Sequence, residues 1–305
     1  MYKLITENTD ILYNSNSISW NSDIDTLGTQ LSFESIKDLY EGAVVSLFSG
    51  SRELIRSVII DKTWNRRTQT YTTKDYSRYL KNKVIKQFNN IKASDAINSL
   101  LSEAYITGNI VEIPTLISKT YKNKNLSEII DDILEQAKGD QGIEYFKEIE
   151  SNILYVRELQ DMKINPNIIL PKSINPKSSI ENMKNRIQIV SNSESNNAII
   201  ATAENTDKLD WYGLLSDMQE VDDKNIAQAQ NIANNTLSEA NMIVRSCSIN
   251  DIIVLDGGED IKANRLIYLN VGSRLCGYYK IKNASHTLSK GIHKVNLTIE
   301  WKVNP

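Results

Sequence analysis

From Lys294 to Val303 apolar and polar residues alternate without an exception. Val295, Leu297, Ile299, Trp301 and Val303 share one side, and Lys294, Asn296, Thr298, Glu300 and Lys302 the other. That period of two predicts a strand with one dry and one wet face, and it places Trp301 among the buried residues. Gly277-Tyr-Tyr-Lys-Ile281 and a turn at Ser289-Lys-Gly291 precede it, so the chain closes on a two-faced hairpin. Between Ile281 and Ala284 the inward phase slips by one residue, which predicts a β-bulge at Lys282-Asn283.

The same period marks the first ninety residues. Leu27, Thr29, Leu31 and Phe33 alternate, Ala43 to Phe48 follow, and Leu54 to Ile60 and Gln69 to Thr73 flank a turn at Trp64-Asn-Arg-Arg67. Short strands about ten residues apart predict a sandwich or barrel. The spacing then becomes helical. Ile97, Leu100, Leu101 and Ala104 form one face behind Ser94 as the N-cap, with Asp95 in the first turn. A second helix carries the stripe Leu126, Ile129, Ile130, Ile133, Leu134 and Ala137. Asn125 and Glu128 stand at the reciprocal capping positions, and Gly139 at the expected terminator. The stripe reads as core rather than as a groove for a partner.

A strand pattern returns from Gly142 to Val156. Prolines 166, 171 and 176 then predict an extended connector. Asn185 to Val190 and Ala198 to Ala203 are strands around the polar loop 191–197. A third helix runs from a cap at Asp222 through Ile226, Ala229, Ala233, Leu237 and Ala240, its narrow, small-sided stripe suited to packing on a sheet. From Met242 onward the pattern is β. The expected class is α+β, mainly β, with a first β-barrel beginning in 1–90, a helical insert over 91–141, return strands and connector completing that barrel over 142–206, a second helical insert over 207–241, and a second β-barrel over 242–305.

Composition narrows the function. With 305 residues, 40% of them hydrophobic and 24% charged, the chain can bury an ample core. Its net charge of −3 carries no footprint of nucleic-acid binding, and Arg66-Arg67 reads as a solvated hairpin tip. Two cysteines 29 positions apart are too sparse for a secreted disulfide scaffold, so both are expected reduced, Cys276 packed in or beside the last hairpin. No apolar run has the length of a membrane span, and the N-terminus shows none of signal-peptide length, which predicts no membrane insertion and assembly in a cytoplasm.

No catalytic motif is present: no Gly-x-Ser-x-Gly, phosphate-cradling glycine loop, His-Glu-x-x-His or Cys-x-x-Cys. His286 and His293 can meet across the final hairpin, but no third ligand is spaced to join them in a metal site. Asp256 to Asp260 lacks the ligand spacing of a calcium loop and reads as a turn. Glycosidases use paired carboxylates, and Asp131-Asp132, Asp222-Asp223, Glu148 and Glu150 are the acids to inspect. They fit helix starts and solvated faces at least as well. Trp20, Trp64 and Trp211 are the aromatics to inspect for a sugar-binding groove.

Several segments in order resemble one family. They are Phe48-Ser-Gly50 with Val58-Ile-Ile60; Lys74-Asp-Tyr-Ser-Arg-Tyr-Leu-Lys-Asn82, with Asp75 and Tyr76 reversed from the family's order; Ser179-Ile-Glu-Asn-Met183 and the strand to Val190; Trp211-Tyr-Gly-Leu-Leu215; and Gly277-Tyr-Tyr-Lys-Ile281 with His286, His293 and Leu297. Together, over about 250 residues, they resemble the baseplate hub proteins of contractile tails, in particular the XkdQ group of PBSX-like prophages, with late-control D proteins and type VI spike hubs as more distant relatives. The resemblance implies a non-enzymatic homotrimer without a cofactor. Two β-barrel-like domains per subunit would form a pseudo-sixfold ring, adapting the sixfold tail tube to the threefold spike of a phage or an R-type tail-like bacteriocin. Tube, spike, tape-measure, LysM-type and wedge baseplate proteins are the implied partners, and a baseplate the implied location.

Under that resemblance Val295, Leu297, Ile299, Trp301 and Val303 should pack the barrel wall, while Asn296, Thr298 and Glu300 should face the channel or a neighbouring subunit. The channel should be neutral to acidic, since a passage for DNA or tape measure must not grip it. A cell-wall hydrolase or wall-binding tail component is the alternative; it predicts paired acids in a cleft, or exposed aromatics in a groove.

Overall fold

The alternating segments at the two ends of the chain join in one sheet. The protein is seen here as a computed structural model describing residues 2–172, 174–191, 198–207, 209–221, 223–272 and 275–305. The cap expected at Asp222 and the loop 192–197 lie outside the described residues. Along the sheet the order is Asn167–Ile169, Ile243–Asp256, Ile292–Val303, Cys276–Ser289, Ser15–Asp23, Thr26–Ser35, Gln69–Asp75, Arg52–Trp64, Val44–Ser49, Tyr2–Thr6 and Thr9–Asp10. The protein is mainly β, and this sheet is a curled half-barrel. Register shifts within the pairs 15–23/26–35, 44–49/52–64 and 52–64/69–75 supply bends that a curled sheet needs.

The hairpin that closes the chain turns at Lys290 and Gly291, with φ of 49° and 77°. Positive φ at both central residues gives the two-residue turn whose twist matches the flanking strands. The phase slip expected in its first strand is visible as burial of Ile281 and then Ala284, three residues apart. It coincides with a change of partner: Cys276 to Lys280 pair with Leu266–Asn270, and Asn283 to Leu288 with Ile18 to Asp23. Opposite them Leu4, Ile18, Leu31, Phe33, Val45, Leu47, Ile59 and Tyr71 form a buried cluster. Tyr71 satisfies its phenol by donating to the Lys37 carbonyl (2.8 Å) and accepting from the Leu39 amide (2.9 Å).

Asp75 caps the turn Tyr76–Lys81, accepting from the Ser77 amide at 3.0 Å and the Thr29 amide at 2.6 Å. Gly28 makes this possible. It has φ +103°, and a Cβ there would stand 2.0 Å from the Ser77 hydroxyl.

By internal contacts the chain forms two units, one of residues 1–134, 144–174 and 248–299, the other of 135–143, 175–247 and 300–305. In the first, the expected helical insert is an αβ element: the ribbon Lys83–Lys92 with Leu116–Asn125, the helix Ala93–Glu103, and the strand Thr107–Ile110. Ile97, Leu100 and Leu101 are buried as expected. Ser94 is not the cap; the helix starts one residue earlier, its Ala93 amide held by the Thr115 carbonyl at 2.8 Å. In the helix Leu126–Gln141 the whole expected stripe is buried, and Asn125 and Glu128 cap reciprocally, at 2.8 and 3.3 Å. Gly139 lies inside that helix. The terminator is Gly142, with φ +69° and its amide on the Lys138 carbonyl at 2.8 Å.

Strand pairing divides 142–206 differently from the expectation. Tyr145–Glu150 and Ile153–Glu158 pair with each other, and the latter runs parallel to Thr107–Ile110. The prolines cut the connector into pieces of two or three residues. These add to Leu266–Asn270 and Ile243–Asp256, on the C-terminal side of the sheet, instead of completing a first barrel.

The second unit holds the antiparallel pair Arg186–Ser191 and Ile199–Glu204, with Ser216–Val221 parallel to the first of these. The helix Ala229–Ala240 packs on them through Ala229 and Ala233, over Ile187, Ile189, Ala201 and Ala203. Small residues let helix and sheet approach closely, as the narrow stripe predicted. Ile226 departs from the pattern: it precedes the α-helix, in a 3-10 turn, and is exposed.

Candidate functional site

On the final strand Val295, Leu297 and Ile299 are buried, and His293 joins their row. Trp301 and Val303 are half-buried, so the dry row weakens at its C-terminal end and Trp301 is not the buried residue its phase predicted. Asn296 is exposed; Thr298 and Glu300 are half-buried. The wet row is bonded sideways to the Ile243–Asp256 strand. Asn296 Oδ1 accepts from the Asp251 amide (2.8 Å), the Thr298 and Ser248 hydroxyls meet at 3.1 Å, and Lys294 reaches Asp251 at 3.2 Å.

Strand register continues this wet face across the sheet. Ser285 and Thr287 of the preceding strand stand opposite Asn21 and Ser19; these stand opposite Gln30 and Ser32, and those opposite Lys74 and Thr72. All are exposed or half-buried. Six neighbouring strands, from 243–256 to 69–75, thus present hydroxyls and carboxamides, with charges of both signs among them, Lys74, Lys294 and Lys302 against Glu34, Asp251 and Glu300. Such a wall stays hydrated, because each group can donate and accept, yet exerts little net field on a charged polymer moving past it. Alternation from Leu27 to Phe33 marks Gln30 and Ser32 as wet, while the strand Ser15–Asp23 with Ser19 and Asn21 is found only in the structure. The alternation held no sign that Ser19, Ser32 and Thr72 would lie in line with Thr287.

Behind the wall the two histidines form a buried chain. The Ile261 carbonyl only accepts, so His286 Nε2–H donates to it at 2.6 Å. His286 Nδ1 then accepts from His293 Nε2–H at 2.9 Å, and His293 Nδ1 accepts from the Tyr2 hydroxyl at 2.9 Å. All four ring nitrogens are used and both rings are neutral, leaving none for a metal. Trp20 stacks on His286 with ring centroids 4.8 Å apart. Burial, with the neighbouring His293 adding to it, pushes His286 down to about 3; burial pushes His293 down to about 4. Burial, aided by Glu259, raises the Tyr2 phenol above its usual range and keeps it a donor.

The acids considered for hydrolysis are tied to cations. Glu148 receives Arg265 on both oxygens (2.8 and 2.9 Å), Lys262 at 2.9 Å and Arg157 at 2.6 Å. Glu150 binds Lys262 at 2.5 Å and has Arg52 at 3.6 Å. Burial alone would raise Glu148, but the charges of Lys262 and Arg265 outweigh it and hold the carboxyl below the usual range. A carboxylate so held is ionised at neutral pH and cannot serve as a general acid. Asp131 pairs with Lys147 at 2.7 Å, and Asp132 with Lys119 and the Tyr121 hydroxyl at 2.9 and 2.5 Å.

Of the tryptophans, Trp20 is buried while Trp64 and Trp211 are exposed. Cys247 is buried and not bonded to Cys276, which is exposed at the start of its strand rather than packed in the hairpin. Among the described residues no helix is long and apolar enough to cross a membrane.

No protein of curated function matches the sequence. Solved structures match in fold. The tail protein of Neisseria meningitidis MC58 gives a TM-score of 0.74 at 10% identity, covering 98% of this chain and 96% of its own. The 43 kDa tail protein of prophage MuSo2 from Shewanella oneidensis gives 0.70 at 12%, over 100% and 98%. The c3393 protein of E. coli, described as a component of the type VI secretion system similar to the T4 tail proteins gp27 and gp5, gives 0.56 at 9%, over 99% and 79%. A profile of one family matches residues 18–300, nearly the whole sequence, and by that match the chain belongs to the YQBQ-like family.

Proposed function

We propose that this chain is a structural, non-enzymatic hub of a tail baseplate, in which three copies close a ring between a sixfold tube and a threefold spike. Each subunit contributes two β units to the ring, the strands of 2–75 and those of 243–303, so three subunits supply six. The observation that carries this reading is the wet sheet face, a wall rich in Ser, Thr, Asn and Gln over six strands, whose charged side chains are of both signs. A wall rich in neutral polar groups, with its charges balanced in sign, suits the lining of a passage. In this reading Asn296, Thr298 and Glu300 face the channel or the next subunit, and Val295, Leu297 and Ile299, with Trp301 and Val303 at the end of the row, back the wall. The fold shared with tail proteins and with a type VI component supports the same role.

The hub would assemble in a bacterial cytoplasm and reside in the baseplate of a particle. Tube, spike and tape-measure proteins would border it, with LysM-type and wedge proteins around them. A ring of this kind needs unlike edges that meet and close on themselves. Native mass spectrometry of the purified chain, alone and mixed with its tube or spike protein, is expected to show trimers. A well-behaved monomer at high concentration in all three samples contradicts the proposal.

A further inference from the structure

We propose that the cleft of the second unit binds a neutral oligosaccharide bearing N-acetyl groups. This goes beyond the tail reading and does not depend on it. The cleft encloses about 490 Å³, within the roughly 300–1,000 Å³ of small-ligand sites. Its lining comes from the ends of two strands (Asn185, Asn205), the short helix that carries Tyr212, and one face of the helix 229–240 (Asn234, Leu237).

The chemistry of that lining is selective. Five asparagines contribute to it, and among the described residues Asp207 is its only charged side chain. Among the described residues no cation lines the cleft to favour a phosphate, and the Asp207 carboxylate disfavours an anion. A carboxamide offers two donors and an acceptor, the complement of a sugar hydroxyl or an acetamido group. Asn185 is buried and engaged through both its nitrogen and its oxygen, donating to the Gly213 carbonyl (2.7 Å) and accepting from the Leu215 amide (2.8 Å). It is a positioning residue that fixes the turn beside Tyr212. Asn205 accepts from the Asp207 amide at 3.0 Å, and Asn234 from Gln230 at 3.1 Å. Each uses only its oxygen, so both NH2 groups remain to donate to a ligand. Tyr212, Leu237 and Met242 add apolar surface for a pyranose face and an acetyl methyl.

The test is a titration of the full chain, isotopically labelled and followed through its side-chain amide NMR signals, with chitotriose, maltotriose and triglycine. Chitotriose is expected to give saturable shifts of cleft asparagines, maltotriose to bind at least about tenfold more weakly, and triglycine not to bind. Asn234→Asp, on the exposed side of its helix, should weaken chitotriose about tenfold, the loss of one hydrogen bond, with an unchanged circular dichroism spectrum. No saturation by chitotriose overturns the proposal. So does equal binding of maltotriose, saturation by triglycine alone, or chitotriose binding indifferent to Asn234→Asp.

Discussion

Glu148→Ala is expected to destabilise the first unit by about 3–5 kcal/mol, the usual effect of removing one partner from a buried ion cluster. The carboxylate neutralises Arg265, Lys262 and Arg157 together. Without it, Arg265, only 2% exposed, keeps Glu150 at 3.7 Å as its nearest counter-charge and stands beside two other cations. Arg265→Met should cost less, about 1–2 kcal/mol, because Glu148 retains Lys262 and Arg157 and the methionine fills the space. The double variant should cost less than the sum of the two. Denaturant unfolding measures all three. Equal costs for the single variants, or a larger one for Arg265→Met, would show that the cluster is not organised around Glu148. The same ion pairs tie the strand 145–150 to the segment 262–265, which gives these acids a structural task.

Stability should also fall on acidification between pH 6.5 and about 4. Both histidines have folded values, about 3 and about 4, below the unfolded 6.5. In that window the unfolded chain binds up to two more protons than the folded one, so stability is full above 6.5 and is lost as pH falls. At pH 5 each histidine accounts for about 2 kcal/mol. Asp75 acts in the opposite sense, since burial raises it although Ser77 and Thr29 oppose the shift. Glu148 adds to the loss only below the ordinary carboxylate range. A protonated His286 would turn an N–H toward the N–H of His293, breaking the chain from Ile261 to Tyr2. Unfolding midpoints from pH 7 to pH 4 should decline steeply for the natural sequence. His286→Phe/His293→Phe should start lower and decline less; an equal slope in that variant would assign the loss to other groups.

Patterns local in sequence were legible; neighbours in space were not. Alternation gave the final strand and its faces, and the cap at Asn125 and Glu128 together with the stripe behind it gave the second helix. Gly139 and Gly142 are three residues apart and equal in composition. The hydrogen bond from Gly142 to the Lys138 carbonyl distinguishes them, and no spacing rule does. The histidines were recognisable as hairpin partners, but their chain is completed by Tyr2 and the Ile261 carbonyl, which only the fold brings near. Residues 148, 157, 262 and 265 share no motif either. Strand order matters most: 276–289 lies beside 15–23, and that junction turns two separate alternating runs into one wet wall.

The most direct measurement is an image of the intact tail particle at side-chain resolution in its baseplate. Three copies of this chain are expected between tube and spike, with Ser19, Ser32, Ser285, Asn296 and Thr298 on the channel wall. Any other copy number in that ring, or the same residues turned to the outer surface of the particle, would contradict the proposed hub.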